Sequence, residues 1–299
     1  MRRFNLGWRR KAAAFRLLDA LPGGDTLYYL TQRHVTRTIP RELSEHVGWQ
    51  IEHTRTFERF FEGDPGRARL FEFGAGWDLL SSLIQWCFGV NEQVVVDIKR
   101  LARLELVNQT IDYLRRNPPS GATRLPETRI RHPLEESLRR AYGIQYVAPA
   151  DARRTSLPDG SVDLICTTSV LEHIPRETLR EIMRECHRIA STGAIMSHVI
   201  DYTDHYAHSD PSIGEYNFLR YSDSEWERFN PAIHYQNRLR HAEYGEIFDE
   251  AGFVPLLAHA IQPNGSQNER PEIALSDRFR RLTAGQVFVR TGHWVLARR

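Results

Sequence analysis

Apolar residues fall into two recurring patterns along this chain. Continuous apolar runs occupy residues 67–73, 93–97, 145–150, 162–167 and 193–200, as in strands buried on both faces of a parallel sheet. Between them, residues 79–86, 100–116 and 176–189 repeat apolar positions every three or four residues, the spacing of one helix face. Pro175 stands at the start of the last of these. A further helix is predicted over 241–251, stopped by Gly252, followed by strands over 253–261 and 292–297, with 287–289 leading into the last. The alternation predicts an α/β chain with one mostly parallel sheet of seven strands, closed by an antiparallel hairpin and covered by helices on both faces.

Segments outside this alternation have their own character. Residues 1–20 interleave Arg2, Arg3, Arg9, Arg10, Lys11 and Arg16 with Trp8, Ala12, Phe15 and Leu17. A basic amphipathic segment of this kind packs one face on a domain or lies on an anionic membrane, so a peripheral membrane contact stays open. Pro22-Gly23-Gly24-Asp25 is a turn, residues 26–35 read as a helix, and Pro40 opens another through about Phe61. The organisation expected is an N-terminal helical extension over 1–64 and a main domain over 65–299. Residues 117–143 form a polar, arginine-rich insertion, expected as a solvated loop with one short helix. Residues 262–281 read as a loop.

The chemistry begins at Glu72-Phe73-Gly74-Ala75-Gly76, where a strand ends in an acid and two glycines precede a helix. Glycines there let a ligand approach the backbone, and the N–H groups of a helix start favour a polar or anionic one. Asp97 ends the second strand about twenty residues on, a spacing suited to ribose hydroxyls. Asp151-Ala152 follows the third strand, and Leu157-Pro158 opens the fourth, which leads into Leu171-Glu172-His173. Together, over residues 67–200, these motifs resemble the class I S-adenosylmethionine-dependent methyltransferases, particularly the type 11 branch. The resemblance implies a Rossmann-like, doubly wound, seven-stranded sheet with a lid insertion after strand five, and S-adenosylmethionine as cofactor. It further implies that Glu72, Gly74 and Gly76 line the methionine end and that Asp97 holds the ribose, with Ile98 beside the adenine. Asp151 and Ala152 would contact the adenine, and Thr168 would border the transferable methyl. Asp78 departs from the pattern, standing where a third glycine is common. Its carboxylate is read as capping the helix that follows.

Composition narrows the partners. Hydrophobic residues make up 41% and charged residues 26%, which suits a soluble globular chain. The net charge of +2 provides no broad nucleic-acid footprint. The Asn/Asp-Pro-Pro-Tyr run of enzymes that methylate exocyclic amines is also missing after strand four, which counts against an RNA methyltransferase. Cys87, Cys166 and Cys186 are widely spaced and read as thiols rather than a disulfide or metal framework. A cytoplasmic setting is expected, with no apolar run long enough to span a bilayer and no leader-like start. Nearly all the basic residues are arginine, which suggests a GC-rich, bacterial source.

Residues 201–240 mix aromatics, amides and charges without regular period, which reads as a lid with a binding surface rather than a core. Tyr202, Tyr206, Arg220, Trp226, Tyr235 and Arg238 are the residues expected to hold the acceptor. This composition resembles that of methyltransferases of polysaccharide and natural-product biosynthesis, so the acceptor class expected is a small molecule or glycan, methylated at oxygen. An oxygen nucleophile benefits from a base near neutral pKa. His205 is the first candidate and His173 the second, with His198 and His208 nearby. Asp204 adjoins His205 in sequence and cannot easily share its face, so Asp201 or a distant acid is the better partner to orient the ring. The spacing of His198, Asp201, Asp204 and His205 also permits a metal, but short spacings of this kind are common. Ubiquinone-biosynthesis O-methyltransferases carry Glu-x-x-Glu-His here. Ser169 replaces the first glutamate, that site would be incomplete, and no metal is assigned. A non-catalytic cofactor-binding module regulating a partner remains the alternative function.

Overall fold

The computed structural model describes residues 7–262 and 273–299. Seven strands form one sheet: β1 (Arg69–Phe73), β2 (Glu92–Val96), β3 (Ile144–Val147), β4 (Val162–Thr168), β5 (Ala190–Asp201), β6 (Phe253–Ile261) and β7 (Thr291–Arg298). Their order is β3-β2-β1-β4-β5-β7-β6. The first five run parallel, and β7 lies antiparallel between β5 and β6. All seven expected strands are present in one mostly parallel sheet. The chain winds outward from β1 in one direction and from β4 in the other, so the crevice between their carboxyl ends is where a ligand is received in such sheets.

The sheet's two faces follow from side-chain alternation. Phe71, Phe73, Val94, Val96, Ile165 and Met196 point to one face, against α7 (Arg176–Ile189) and α9 (His241–Glu250). Val95 points to the other, against α4 (Leu80–Cys87), α5 (Leu104–Arg116) and α6 (Leu134–Tyr142). Leu70, Leu164 and Ile195 share that second parity and meet Phe57 of α3 (Val47–Phe60). Leu83 of α4 is fully buried, and truncating such a residue to alanine costs about 2–5 kcal/mol.

Three expectations need correction. The helix expected from Pro40 begins only at Val47. Residues 40–46 stay outside it because Arg41 reaches across to Asp78, at 2.8 and 2.9 Å, and draws the segment onto the glycine turn. The helix expected over 26–35 is instead α2 (Gly24–Leu30), which widens into a π-helical turn over Thr31–Val35. The 117–143 insertion does carry one short helix, α6, and is fastened by Asn108, whose side chain exchanges hydrogen bonds with both backbone groups of Ile130.

The third correction concerns the lid. It is a second core, not an open mixed surface. Tyr206, Tyr216, Phe218 and Trp226 are buried with Trp8 and Phe15 of α1 (Trp8–Asp19) and with Phe279 and Phe288. The backbone N–H of Trp8 donates to Asp210 at 2.6 Å. The lid's backbone turns through short helical pieces, including α8 (Asp223–Trp226), whose first turn Ser222 and Glu225 cap reciprocally. Aromatic rings recover more free energy from burial than a solvated loop can offer, and α1 supplies the missing surface. Arg9, Arg10 and Arg16 remain exposed. The part of the membrane-contact expectation resting on Arg2 and Arg3 lies outside the described residues, as does half of the loop expected over 262–281. Its far end folds as the short α10 (Asp277–Arg280), with α11 (Ala284–Val287) just beyond. No helix among the described residues is long and apolar enough to cross a membrane.

Candidate functional site

At the carboxyl end of β1, Gly74 and Gly76 have φ of +76° and +71°. A Cβ on Gly74 would collide with Val170 at 2.5 Å. A Cβ on Gly76 would meet nothing within 4 Å, so this backbone borders open space that a ligand can fill. Beneath them Asp97 is buried at the end of β2, and its carboxylate accepts the N–H groups of Gly76 (3.3 Å) and Lys99 (3.1 Å). Burial raises its pKa and these donors oppose the rise. Ile98, next to it, is exposed on the rim. A carboxylate held on backbone donors beside an apolar lip suits a ribose and an adenine ring.

Glu72 lies deeper. It is buried, accepts the Ser82 hydroxyl at 2.6 Å and ties β1 to α4. Burial pushes its pKa up to about 7. Asp151 is half-buried, and Arg153 grips its carboxylate through its N–H and guanidinium, which lowers its pKa. Ala152 packs into the core. Asp78 accepts the Leu80 N–H at 3.1 Å from one residue before the N-cap, which is Leu79, so it is not the cap residue expected. The left-handed residue is Leu79 (φ +53°) rather than position 78, and α4 therefore begins at Leu80.

The N-terminal helices also reach this half. Tyr29 of α2 stacks on Trp77 at 4.8 Å, and Arg103 lies over both rings. Gln50 and His53 of α3 reach Thr168 at the end of β4. Its hydroxyl donates to Gln50 at 3.2 Å and sits 2.8 Å from His53 Nε2. His53 Nδ1 continues to Ser197 at 2.7 Å, and Ser197 to His293 at 2.9 Å. Burial, then the neighbouring imidazoles, hold His53 well below its ordinary pKa, so this chain of bonds is uncharged.

The acceptor side lies past β4 and β5. Asp201 ends β5, and its carboxylate accepts the N–H and hydroxyl of Thr203. His205 Nε2 lies 3.4 Å from Asp201 and His208 Nε2 lies 3.7 Å away. Burial opposes ionisation of Asp201, but His205 and Thr203 outweigh it and hold the carboxyl at about 2. The ring of His173 is 4.9 Å from that of His205, and its Nδ1 lies 2.8 Å from the Tyr235 carbonyl. Crowding by protein and the His205 ring push His173 down to about 4, although one edge stays exposed. Glu172 beside it is buried, and neither carboxylate oxygen has a partner. His234 joins the group from the lid, 6.2 Å ring to ring from His205.

Several expected site residues are placed elsewhere. His198 is buried, bonded to Thr167 at 2.8 Å and stacked on Phe248. Asp204 faces inward to Asn217 and the Tyr206 N–H. Of the four residues whose spacing permitted a metal, only Asp201 and His205 meet. Tyr202 is buried between His241 and Trp294. Tyr206 donates to the Phe229 carbonyl. Trp226 is in the lid core, and Arg238 is buried against the carbonyls of Phe218 and Tyr221 and the carboxylate of Asp223. Tyr202, Tyr206 and Arg238 have spent their polar groups inside the protein, and Trp226 is buried in the lid core with its indole N–H unpaired. Arg220 is exposed and Tyr235 half-buried. Asn237, unnoticed in the sequence, clamps the Leu171–His173 turn: its side chain donates to the carbonyls of Leu171 and Ile174, and its N–H to that of Glu172.

Residues 128–197 match a family model described as a methyltransferase domain. Among solved structures, the PH0226 protein of Pyrococcus horikoshii is 12% identical, with 90% of this chain and 98% of that one covered, at a TM-score of 0.50. A geranyl diphosphate methyltransferase solved with S-adenosylmethionine is 10% identical, covering 84% and 85%, with a TM-score of 0.47. An S-adenosylmethionine-dependent methyltransferase from Mesorhizobium loti is 13% identical, covering 79% and 93%, with a TM-score of 0.41. No curated protein sequence matches the chain.

Proposed function

We propose that this chain, a class I S-adenosylmethionine-dependent methyltransferase of the type 11 branch, methylates an oxygen of a small-molecule or glycan acceptor. When bound, the cofactor supplies a methyl group activated on a sulfonium. The backbone at Gly74 and Gly76 leaves room for its methionine end, with Glu72 beneath. Asp97 receives the ribose and Ile98 flanks the adenine. Asp151 and Ala152 border the adenine's far edge. Thr168, pinned by Gln50 and His53, stands at the boundary between cofactor and acceptor. What these residues contribute is alignment, and displacement at a methyl group depends chiefly on alignment.

The observation that carries the acceptor reading is the meeting of His205, His173 and Asp201 just past Thr168. Imidazoles beside an ionised carboxylate favour loss of a proton from an incoming hydroxyl. The lid's interior supports the rest: Tyr206, Trp226 and Arg238 build its core, Gln236 accepts the His205 N–H at 3.0 Å, and Arg220 and Tyr235 remain for the acceptor. Transfer of a labelled methyl group should be measured across a panel of sugars, phenols and hydroxy acids. His205→Ala should lower turnover by roughly a hundredfold or more and leave cofactor affinity nearly unchanged, the scale of a lost proton-transfer group. Wild-type turnover in that variant would make His205 structural and His173 the next candidate, and methylation of nitrogen acceptors alone would remove the oxygen reading.

A further inference from the structure

The acceptor side holds an arrangement that catalysis by imidazole alone does not use. Glu172 is only 3% exposed, and both of its carboxylate oxygens lack a hydrogen-bond partner. A buried carboxylate normally takes an arginine, a lysine or several N–H donors. None of the ion pairs among the described residues involves Glu172, and those of Asp201 reach only His205 and His208. The buried arginines are committed elsewhere: Arg238 donates to the carbonyls of Phe218 and Tyr221 and to Asp223, and Arg240 to the carbonyls of Tyr202 and Val289. Two carboxylates therefore share a crowded site with imidazoles and no fixed cation.

One potential ligand atom each from Glu172, His173 and His205 lies within 4.8 Å of the others. His173 is already oriented as a ligand would be. Its Nδ1 is 2.8 Å from the Tyr235 carbonyl, which accepts only if that nitrogen carries the proton. The Nε2 lone pair is then free, and a backbone partner of this kind is what fixes the tautomer of metal-bound histidines. His205 is held by the lid, and its Nε2 is buried without a hydrogen-bond partner. The Glu172–His173 pair is carried by the turn after β4, and Asn237 clamps that turn against the lid.

We infer that Glu172, His173 and His205 bind a divalent transition-metal ion, with Asp201, 3.4 Å from His205 Nε2, as a neighbouring carboxylate. Two imidazoles and one carboxylate, leaving positions open, suit borderline ions such as manganese, iron, cobalt or zinc rather than magnesium or calcium. The lid supplies the ligand that Ser169 denies to the Leu-Glu-His turn, so the site exists only when the lid is docked. The open positions fit an acceptor with two adjacent oxygens, as in a vicinal diol, a catechol or an α-hydroxy acid. This inference rests on the methyltransferase reading of the same site and identifies the agent that ionises the acceptor oxygen.

The test uses the full chain, stripped with a chelator and dialysed. Cobalt(II) titration followed by visible absorption, and zinc(II) titration by calorimetry, should show one site per chain. Glu172→Gln and His205→Ala should each weaken that site at least tenfold, while exchange of the exposed His34 for Ala leaves it unchanged. Cofactor binding by each variant reports that it is folded. Turnover of the stripped enzyme should fall at least tenfold and return with cobalt(II) or manganese(II). Absence of stoichiometric binding, binding indifferent to both substitutions, or full turnover after chelation would each overturn the metal inference. In those cases methyl transfer itself still tests the proposed function independently, because a metal-free enzyme with His205 as base retains it.

Discussion

The two halves of the sheet's carboxyl edge are built on different terms. On the β1–β2–β3 side, each contact follows its strand within a few residues: Gly74 and Gly76 after β1, Asp97 after β2, Asp151 after β3. On the β4–β5 side, the working group combines Glu172 and His173 from one turn with Asp201 and His205 from another, and Asn237 fastens them. A site made from strand ends needs only the sheet. A site made from a lid needs the lid's own core, and here that core borrows α1, about two hundred residues away along the chain. The cofactor half is thus expected to withstand insults that disable the acceptor half.

The sharpest way to break this contrast is Trp226→Ala. Its ring is buried among Trp8, Tyr206, Phe218 and Tyr221, and such truncations cost about 3–5 kcal/mol. Chemical denaturation should show the loss, and calorimetry should show cofactor affinity changed far less than turnover. Equal loss of both would mean that the halves are not separable.

Glu72 tests the cofactor half by pH. Its folded-state pKa is raised from the ordinary 4.5 to about 7 by burial. The folded form therefore keeps a proton that the unfolded chain has released. Stability from this group is full below about 4.5 and declines as pH rises toward about 7, by at most on the order of 3 kcal/mol. Denaturation midpoints of wild type and Glu72→Gln should diverge across that window, with the variant relatively more stable at pH 8. Parallel curves would show that the Ser82 bond already compensates the charge.

Asp97→Ala sharpens the contrast from the other side. It should weaken cofactor binding by about 1.5–3 kcal/mol, the scale of a hydrogen bond to a charged group, with the lid's thermal stability unaffected. The smallest effect is expected from Arg41→Ala. Arg41 is half-exposed and pairs with Asp78 at 2.8 Å, so its loss should cost under about 1 kcal/mol. Proteolysis near residues 37–46 should nonetheless quicken, because this pair holds that segment on the glycine turn.

The sequence alone located the apolar runs that became the strands and the amphipathic helices between them, and so the sheet with helices on both faces. It located the turn at Gly74 and Gly76 and the strand-ending Asp97, because those features need only local backbone geometry. It also favoured Asp201 over Asp204 as the partner of His205, since adjacent side chains point apart. Only the tertiary structure decided which lid residues were interior. Tyr206, Trp226 and Arg238 look like a binding surface when read in their own window, and they became core because Trp8 and Phe15 cover them. Glu172 reads as one letter of a familiar turn until a lid histidine arrives beside it. Burial and unmet hydrogen bonds depend on the partner surface, and that surface lies in another part of the chain.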